Sequence, residues 1–213
     1  TALTPSLACV NTVGSNAAAT ASAGVPAPTC SNYAGGDVWF SVVVPAGGAL
    51  TLSSTAITGS LLTDGGMAAY TSSSCAGPFT QVGCNDDFNG LMPLLALTGL
   101  APGTTLWVRY WEYGNDAVGQ FNICATIPPP PPTNDNPCQA TALTVTSNCV
   151  YGTFSNTSTT ATAGVPAPSC GFYTGADVWF TFVAPPSGIA LVQTQAGTLT
   201  DADMSLYTAT ACN

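Results

Sequence analysis

The chain has no histidine, no lysine and a single arginine, Arg109, against ten Asp plus Glu residues. That shortage excludes several functions at once. Nucleic-acid binding depends on Lys and Arg at phosphates, as does adhesion to an anionic membrane surface, and a net charge of −9 opposes both. Without His or Lys, the Ser, Thr and Cys residues lack their usual activating base. Only 5% of residues are charged, so solubility rests on Ser, Thr, Asn and Gly. A surface this poor in charge suits packing against copies of itself. No transmembrane run or signal peptide is visible, so direct membrane insertion is not expected and any export signal has been removed or lies outside these residues.

Cysteine, by contrast, is plentiful. Nine cysteines in a chain without His, and without a CxxC pair, point to disulfides rather than zinc. Disulfides imply an oxidising, extracellular compartment.

The sequence repeats itself. Asp37-Val38-Trp39-Phe40 returns as Asp177-Val178-Trp179-Phe180, and Gly24-Val25-Pro26-Ala27-Pro28 as Gly164-Val165-Pro166-Ala167-Pro168. Cys9 and Cys30 match Cys149 and Cys170, all 140 residues apart (177 − 37 = 140). Thr63, Asp64, Met67, Tyr70 and Cys75 match Thr200, Asp201, Met204, Tyr207 and Cys212 at a spacing of 137 (201 − 64 = 137). Two copies of one domain are therefore expected: repeat 1 over 1–126, lacking its N-terminal segment, and repeat 2 over 134–213, incomplete at its C-terminal end. A half-sandwich leaves an open core and unpaired strand edges, so a longer chain or another subunit is expected to complete it. Between the repeats, the proline run Pro128–Pro132 predicts a stiff polyproline spacer over 127–133.

Each Asp-Val-Trp-Phe motif opens an alternation of period two. Val38, Phe40, Val42 and Val44 share one face in the first copy, and Val178, Phe180, Phe182 and Ala184 in the second. Further strands are predicted at Ala49–Ser53, Met67–Tyr70, Leu94–Leu97, Thr105–Tyr113 and Gly119–Ala125, with two short ones before residue 37 and a loop over Cys75–Cys84. Short strands, turn signals and no helical periodicity predict an all-β fold: tandem antiparallel, jelly-roll-like β-sandwiches.

The candidate residues fall into three groups. Asp64, Asp86, Asp87, Glu112 and Asp116 are the carboxylates that acid–base pairing would need, but no enzymatic activity is expected. Carboxylates suit a hard cation better: Asn134, Asp135, Asn136 and Asp177 offer oxygens for calcium, as do Asp86 and Asp87 beside Cys84. The competing reading is turn formation, because Asn and Asp bond their own backbone. On the long strand, Trp107, Arg109, Trp111 and Tyr113 share a face. Such a stripe either meets a sugar or a neighbouring domain, or lies under the Ala-rich N-terminal segment. For the disulfides, Cys75 and Cys84 flank a short loop and are expected to pair. Cys138 with Cys149 is the next pair, which leaves Cys30 and Cys124.

The order of motifs carries a resemblance. Asp-Val-Trp-Phe, Pro-Ala-Gly-Gly, Asp-x-x-Met-x-x-Tyr, Cys-Asn-Asp-Asp, Leu-x-x-Leu-x-Pro-Gly-Thr-Thr-x-x-x-Arg, Gly-Asn and Gly-x-Phe-x-x-Cys follow one another as in the disulfide-containing relatives of bacterial pre-peptidase C-terminal domains. The resemblance covers 37–125 and 134–213 and implies a jelly-roll-like sandwich without catalytic activity, repeated in secreted and surface proteins of Bacteroidota. It also implies calcium between the linker and the start of the Asp-x-x-Trp/Phe strand, at Asn134, Asp135, Asn136 and Asp177. Asp37 matches in the first copy, which lacks the linker. The expected function is a structural repeat at the bacterial cell surface, an adhesin stalk or a filament of self-associating copies, with glycans or host and cell-surface proteins as further partners. The alternative is a carbohydrate- or protein-binding accessory module of a secreted hydrolase.

Overall fold

Strands form where the alternation places them. In the computed structural model, which describes residues 1–30, 32–88 and 90–209, chain order runs β1 (Ala2–Leu3), β2 (Thr12–Ser15), β3 (Val38–Val43), β4 (Leu50–Ala56), β5 (Gly65–Thr71), β6 (Thr80–Asn85), β7 (Leu94–Leu97), β8 (Thr105–Glu112) and β9 (Gln120–Thr126). Two short strands follow, β10 (Thr141–Ala142) and β11 (Phe180–Thr181). The chain divides into two units, Thr1–Pro128 and Pro129–Asn213, with the boundary inside the proline run. Cys212, matched to Cys75 by the repeat, lies outside the described residues. Among the described residues no helix is long and apolar enough to cross a membrane.

The first unit is a β-sandwich. One sheet has the order β1-β3-β8-β5-β6 and the other β2-β9-β4-β7. Phe40 and Val42 from β3, Met67 and Ala69 from β5, and Leu106, Val108 and Tyr110 from β8 face Leu50 and Leu52 of β4 and Phe121 and Ile123 of β9. Leu52, Val108, Phe121 and Ile123 are fully buried, each side chain stabilising the fold by roughly 1.5–3 kcal/mol. Strand pairing is antiparallel except at β1 with β3, and the isolated bridge Ser6–Thr126 is parallel too, so the expected all-antiparallel sandwich is corrected at its edges.

β6 is a strand where a loop was expected. Its sequence, Thr-Gln-Val-Gly-Cys-Asn, shows no apolar alternation because the residue at the core-facing position is Gly83. A Cβ there would lie 2.7 Å from Leu97 Cδ2 of the opposite sheet. The side chain that would have revealed the strand is replaced by one from its partner sheet.

This placement overturns the expected disulfides. Cys84 sits well down β6, whose hairpin with β5 closes at Thr71 and Thr80. Cys75 is in the hairpin tip, exposed and unpaired. Cys84 instead bonds Cys30, with Cα atoms 5.7 Å apart. Cys124, on β9 of the other sheet, cannot reach Cys30 and bonds Cys9, which precedes β2 alongside β9. In the second unit Cys149 is unpaired and exposed, so the expected bond to Cys138 does not form. Cys138 itself is not free.

In the second unit β10 pairs with β11 in parallel, Thr141 with Phe180 and Ala142 with Thr181. In the first unit Ala2 pairs with Ser41, the same register displaced by 140 residues (142 − 2 = 140; 181 − 41 = 140).

Candidate functional site

The outer face of the five-stranded sheet is the most elaborated part of the first unit. Ala68, Tyr70 and Trp111 form a second buried cluster there, under Val25, Cys30, Tyr33, Trp39 and Phe79. β5 is thus buried on both faces. Residues 22–30 and 32–36 cover the stripe expected on β8. Arg109 is 1% exposed and Trp111 fully buried, so these two, expected as ligand or subunit contacts, are interior. Trp107 is half-buried, and of the four only Tyr113, in a 3-10 turn after β8, is well exposed. The covering segment is rich in small residues. The indole N–H groups of Trp107 and Trp111 have no protein acceptor.

At the centre lies Asp37. Its carboxylate accepts from the backbone N–H of Ser22 at 2.8 Å, the Tyr33 hydroxyl at 3.2 Å and Trp39 Nε1 at 2.8 Å. Arg109 Nε donates to it at 2.8 Å, an ion pair whose side chains are almost wholly buried. Arg109 also donates through Nη1 to the Pro26 carbonyl at 3.3 Å, and its guanidinium lies 3.9 Å from the centre of the Tyr33 ring. Burial pushes the Asp37 carboxyl up, but the hydrogen bond from Ser22, the Arg109 charge and the Trp39 indole outweigh it and hold the group below its ordinary value. Asp37, expected as a cation ligand, is therefore the counter-ion of the chain's one side-chain cation. The turn that delivers it passes through Gly35 and Gly36, with φ of +112° and +66°, a region glycine enters at little cost.

The second unit repeats the acceptor side of this site. Asp177 accepts from the Thr162 N–H at 3.3 Å and from Trp179 Nε1 at 2.9 Å, and Trp179 Nε1 also reaches Thr162 Oγ1. The Tyr207 hydroxyl donates to the Pro166 carbonyl at 3.0 Å, as Tyr70 does to Pro26 in the first unit. Trp179 and Tyr207 lie 5.7 Å apart at 43°, Trp39 and Tyr70 5.8 Å apart at the same angle.

Asn134, Asp135 and Asn136 guide the chain into this unit. Asn134 exchanges backbone and side-chain bonds with Trp179, and Asp135 accepts from both the N–H and the hydroxyl of Thr160. Asn136 caps the short 3-10 turn Pro137–Gln139. Asp135 and Asp177 thus direct their oxygens at protein donors. Among the described residues no three His, Cys, Asp or Glu side chains gather where a metal ion could sit.

Asp86 and Asp87 also make a turn, the Asp87 N–H donating to Asp86 Oδ1. With Asp116 they surround Asp64, whose Oδ1 is buried without a donor. Burial and then the charges of Asp87, Asp86 and Asp116 push the Asp64 carboxyl up. Glu112, buried nearby, is raised by burial too, although it accepts from the Asp116 N–H at 2.9 Å.

Sequence reasoning missed Ser22, Pro26 and Tyr33. The repeat could have found them, because Ser22/Thr162, Pro26/Pro166 and Tyr33/Tyr173 keep the same spacing from Asp37 and Asp177.

No family model matches the chain, and no curated protein does. Among solved structures, the chain is similar to the crystal structure of the pre-peptidase C-terminal domain of a collagenase from Bacillus anthracis. The identity is 11%, with a TM-score of 0.36, over 59% of this chain and 94% of that one.

Proposed function

We propose that the chain is a non-catalytic, extracellular β-sandwich repeat whose work is mechanical, building an adhesin stalk or a filament at a bacterial cell surface. The observation that carries this reading is how the functional groups are spent. The one side-chain cation is locked in a buried ion pair with Asp37, and Cys9–Cys124 and Cys30–Cys84 staple the outer faces of the two sheets. The aromatic stripe that resembled a ligand platform is roofed over by the chain's own N-terminal segment. What remains at the surface is poor in charge, carries exposed apolar side chains such as Leu7, Leu61 and Phe88, and is free of Lys, the residue that most often keeps sheet edges from pairing.

The disulfides fit an oxidising compartment. The test is small-angle scattering and electron microscopy of the intact protein over a range of concentrations. Elongated assemblies with contacts between domains of different chains are expected. Monomers that stay separate at high concentration would refute the filament. Attachment of the repeat to a single catalytic domain would favour an accessory module instead.

A further inference from the structure

Of the Asp and Glu residues in the first unit, all but Asp37 lie at one end of the sandwich. Glu112 closes β8 opposite Gly65, the first residue of β5. Asp64 precedes β5, Asp86 and Asp87 follow β6, and Asp116 follows the turn after β8. Backbone bonds draw these loops around Asp64. The Tyr113 N–H donates to the Asp64 carbonyl at 3.2 Å, and the Gly65 N–H donates to the Leu91 carbonyl at 3.0 Å. The same loops leave apolar side chains in water: Leu61 is 74%, Phe88 66%, Val118 59% and Leu91 51% exposed. Between the loop before Asp64 and the loop after Asp116 runs an open groove of about 310 Å³, lined by Ile57, Leu61 and Val118 among others.

This end has no cation of its own. The chain has neither Lys nor His, and Arg109 is engaged with Asp37. Asp64 Oδ1 is buried without a donor, an unpaired acceptor of a kind that folded proteins rarely keep. An exposed apolar patch among polar groups is the mark of a docking surface, and here the polar groups are carboxylates alone.

We infer that this end of the first unit docks a cationic polypeptide segment of another protein, whose Lys or Arg side chains meet Asp64, Asp86, Asp87 and Asp116 while its apolar side chains cover Leu61, Phe88 and Val118. Charge selects this occupant. A second copy of residues 1–213 brings further carboxylates and no free side-chain cation, so it is repelled here. Nucleic acid and anionic lipid are repelled for the same reason. A bare metal ion would leave the apolar side chains in water, and among the described residues no three ligand side chains gather to hold one. A cationic, apolar polypeptide meets both demands. Opposite charges steer and discriminate, and the covered apolar area supplies affinity. The remaining surface of the first unit carries no charged side chain, because Asp37, Arg109 and Glu112 are buried, and stays open to contacts between copies.

The test uses the whole 213-residue chain and short labelled peptides, titrated by fluorescence anisotropy at low protein concentration. One peptide combines Lys, Arg and Leu. A second has Gln in place of every cation, and a third has Ser in place of every Leu. The first should bind about tenfold more tightly than either of the others and lose affinity as salt rises. Asp87→Asn/Asp116→Asn should weaken it about tenfold and leave the glutamine peptide unchanged. Leu61→Ser/Phe88→Ser changes exposed positions, so Tm should hold while binding of the first peptide falls about fivefold. On binding, the Asp64 carboxyl should titrate closer to the ordinary Asp value in carbon NMR.

Equal binding of the glutamine peptide would mean mere apolar adhesion and overturn the inference. Equal binding of the serine peptide would mean general attraction between opposite charges and overturn it too. So would no binding, or an affinity unmoved by Asp87→Asn/Asp116→Asn. The inference goes beyond the mechanical role and does not rest on it, since the peptide is read on separate chains whether or not they assemble at higher concentration.

Discussion

Replacing Arg109 tests the site most directly. In Arg109→Met the Asp37 carboxylate stays buried with three donors left, from Ser22, Tyr33 and Trp39. Removing one partner of a buried ion pair costs about 3–5 kcal/mol, and the surviving donors place this variant near the low end, about 3 kcal/mol. Asp37→Asn is worse. It leaves a guanidinium in the interior with one carbonyl and the Tyr33 ring, and sets an amide N–H₂ against the Ser22 or Trp39 N–H. About 5 kcal/mol is expected there. The double variant Asp37→Asn/Arg109→Met removes both charges, and its loss should be smaller than that of Asp37→Asn alone. The assay is urea unfolding followed by tryptophan fluorescence, with Tm falling by about 4 °C per kcal/mol for a unit of this size. Because the pair is shielded from solvent, 1 M salt should not reproduce the loss. A double variant that loses the sum of the two singles would show that the charges do not interact, and would refute the reasoning.

Three further outcomes are expected. Cys30→Ser/Cys84→Ser opens a 54-residue loop and should cost about 4 kcal/mol in the chain-entropy model; non-reducing peptide mapping that links Cys75 to Cys84 instead would contradict the fold. Ala176 adopts φ of +67° where the first unit has Gly36, a conformation costing a non-glycine residue roughly 1–2 kcal/mol, so Ala176→Gly should stabilise the second unit by about 1 kcal/mol in calorimetry. Asp64 has a raised folded pKa, so its charge destabilises at neutral pH and the penalty fades as pH falls through that value. Asp64→Asn should therefore stabilise at pH 7 and be neutral below the ordinary Asp range, as read from Tm against pH. Asp37, lowered, acts in the opposite sense: its contribution is complete above the ordinary Asp value and lost only as pH falls below it.

The sandwich was legible where apolar residues alternate. β3, β4, β5, β7, β8 and β9 all lie at the predicted places, because each puts Leu, Val, Phe, Met or Tyr into one core. β6 was not, because Gly83 gives up its side chain to Leu97. The disulfides failed for a related reason. Proximity in sequence favoured Cys75 with Cys84, whereas the bonds formed join segments 54 and 115 residues apart, a distance that only the sheet order determines. Of the site, Asp37 and Arg109 were each visible, one as an oxygen ligand and one as part of a surface stripe. Their partnership was hidden because β3 and β8 are 72 residues apart at that pair and become neighbours only in the folded sheet.

That partnership also explains why a chain with so little charge buries its one cation. A buried pair is weak evidence for stability, since well-packed apolar residues often do as well. Its clearer contribution here is to alignment. β3 and β8 are rich in interchangeable apolar residues, and a slip of two positions would still bury Val, Leu and Phe on the core face. The same slip would carry Arg109 away from Asp37 and leave both charges in the interior without a partner, at a cost of several kcal/mol. A slip of one position would send the whole apolar set to the wrong face. The core therefore forbids odd shifts and the ion pair forbids even ones, and together they leave the register in which Trp39 faces Arg109. The second unit, with Asp177 set in the same frame of Thr162 and Trp179, carries half of that alignment device.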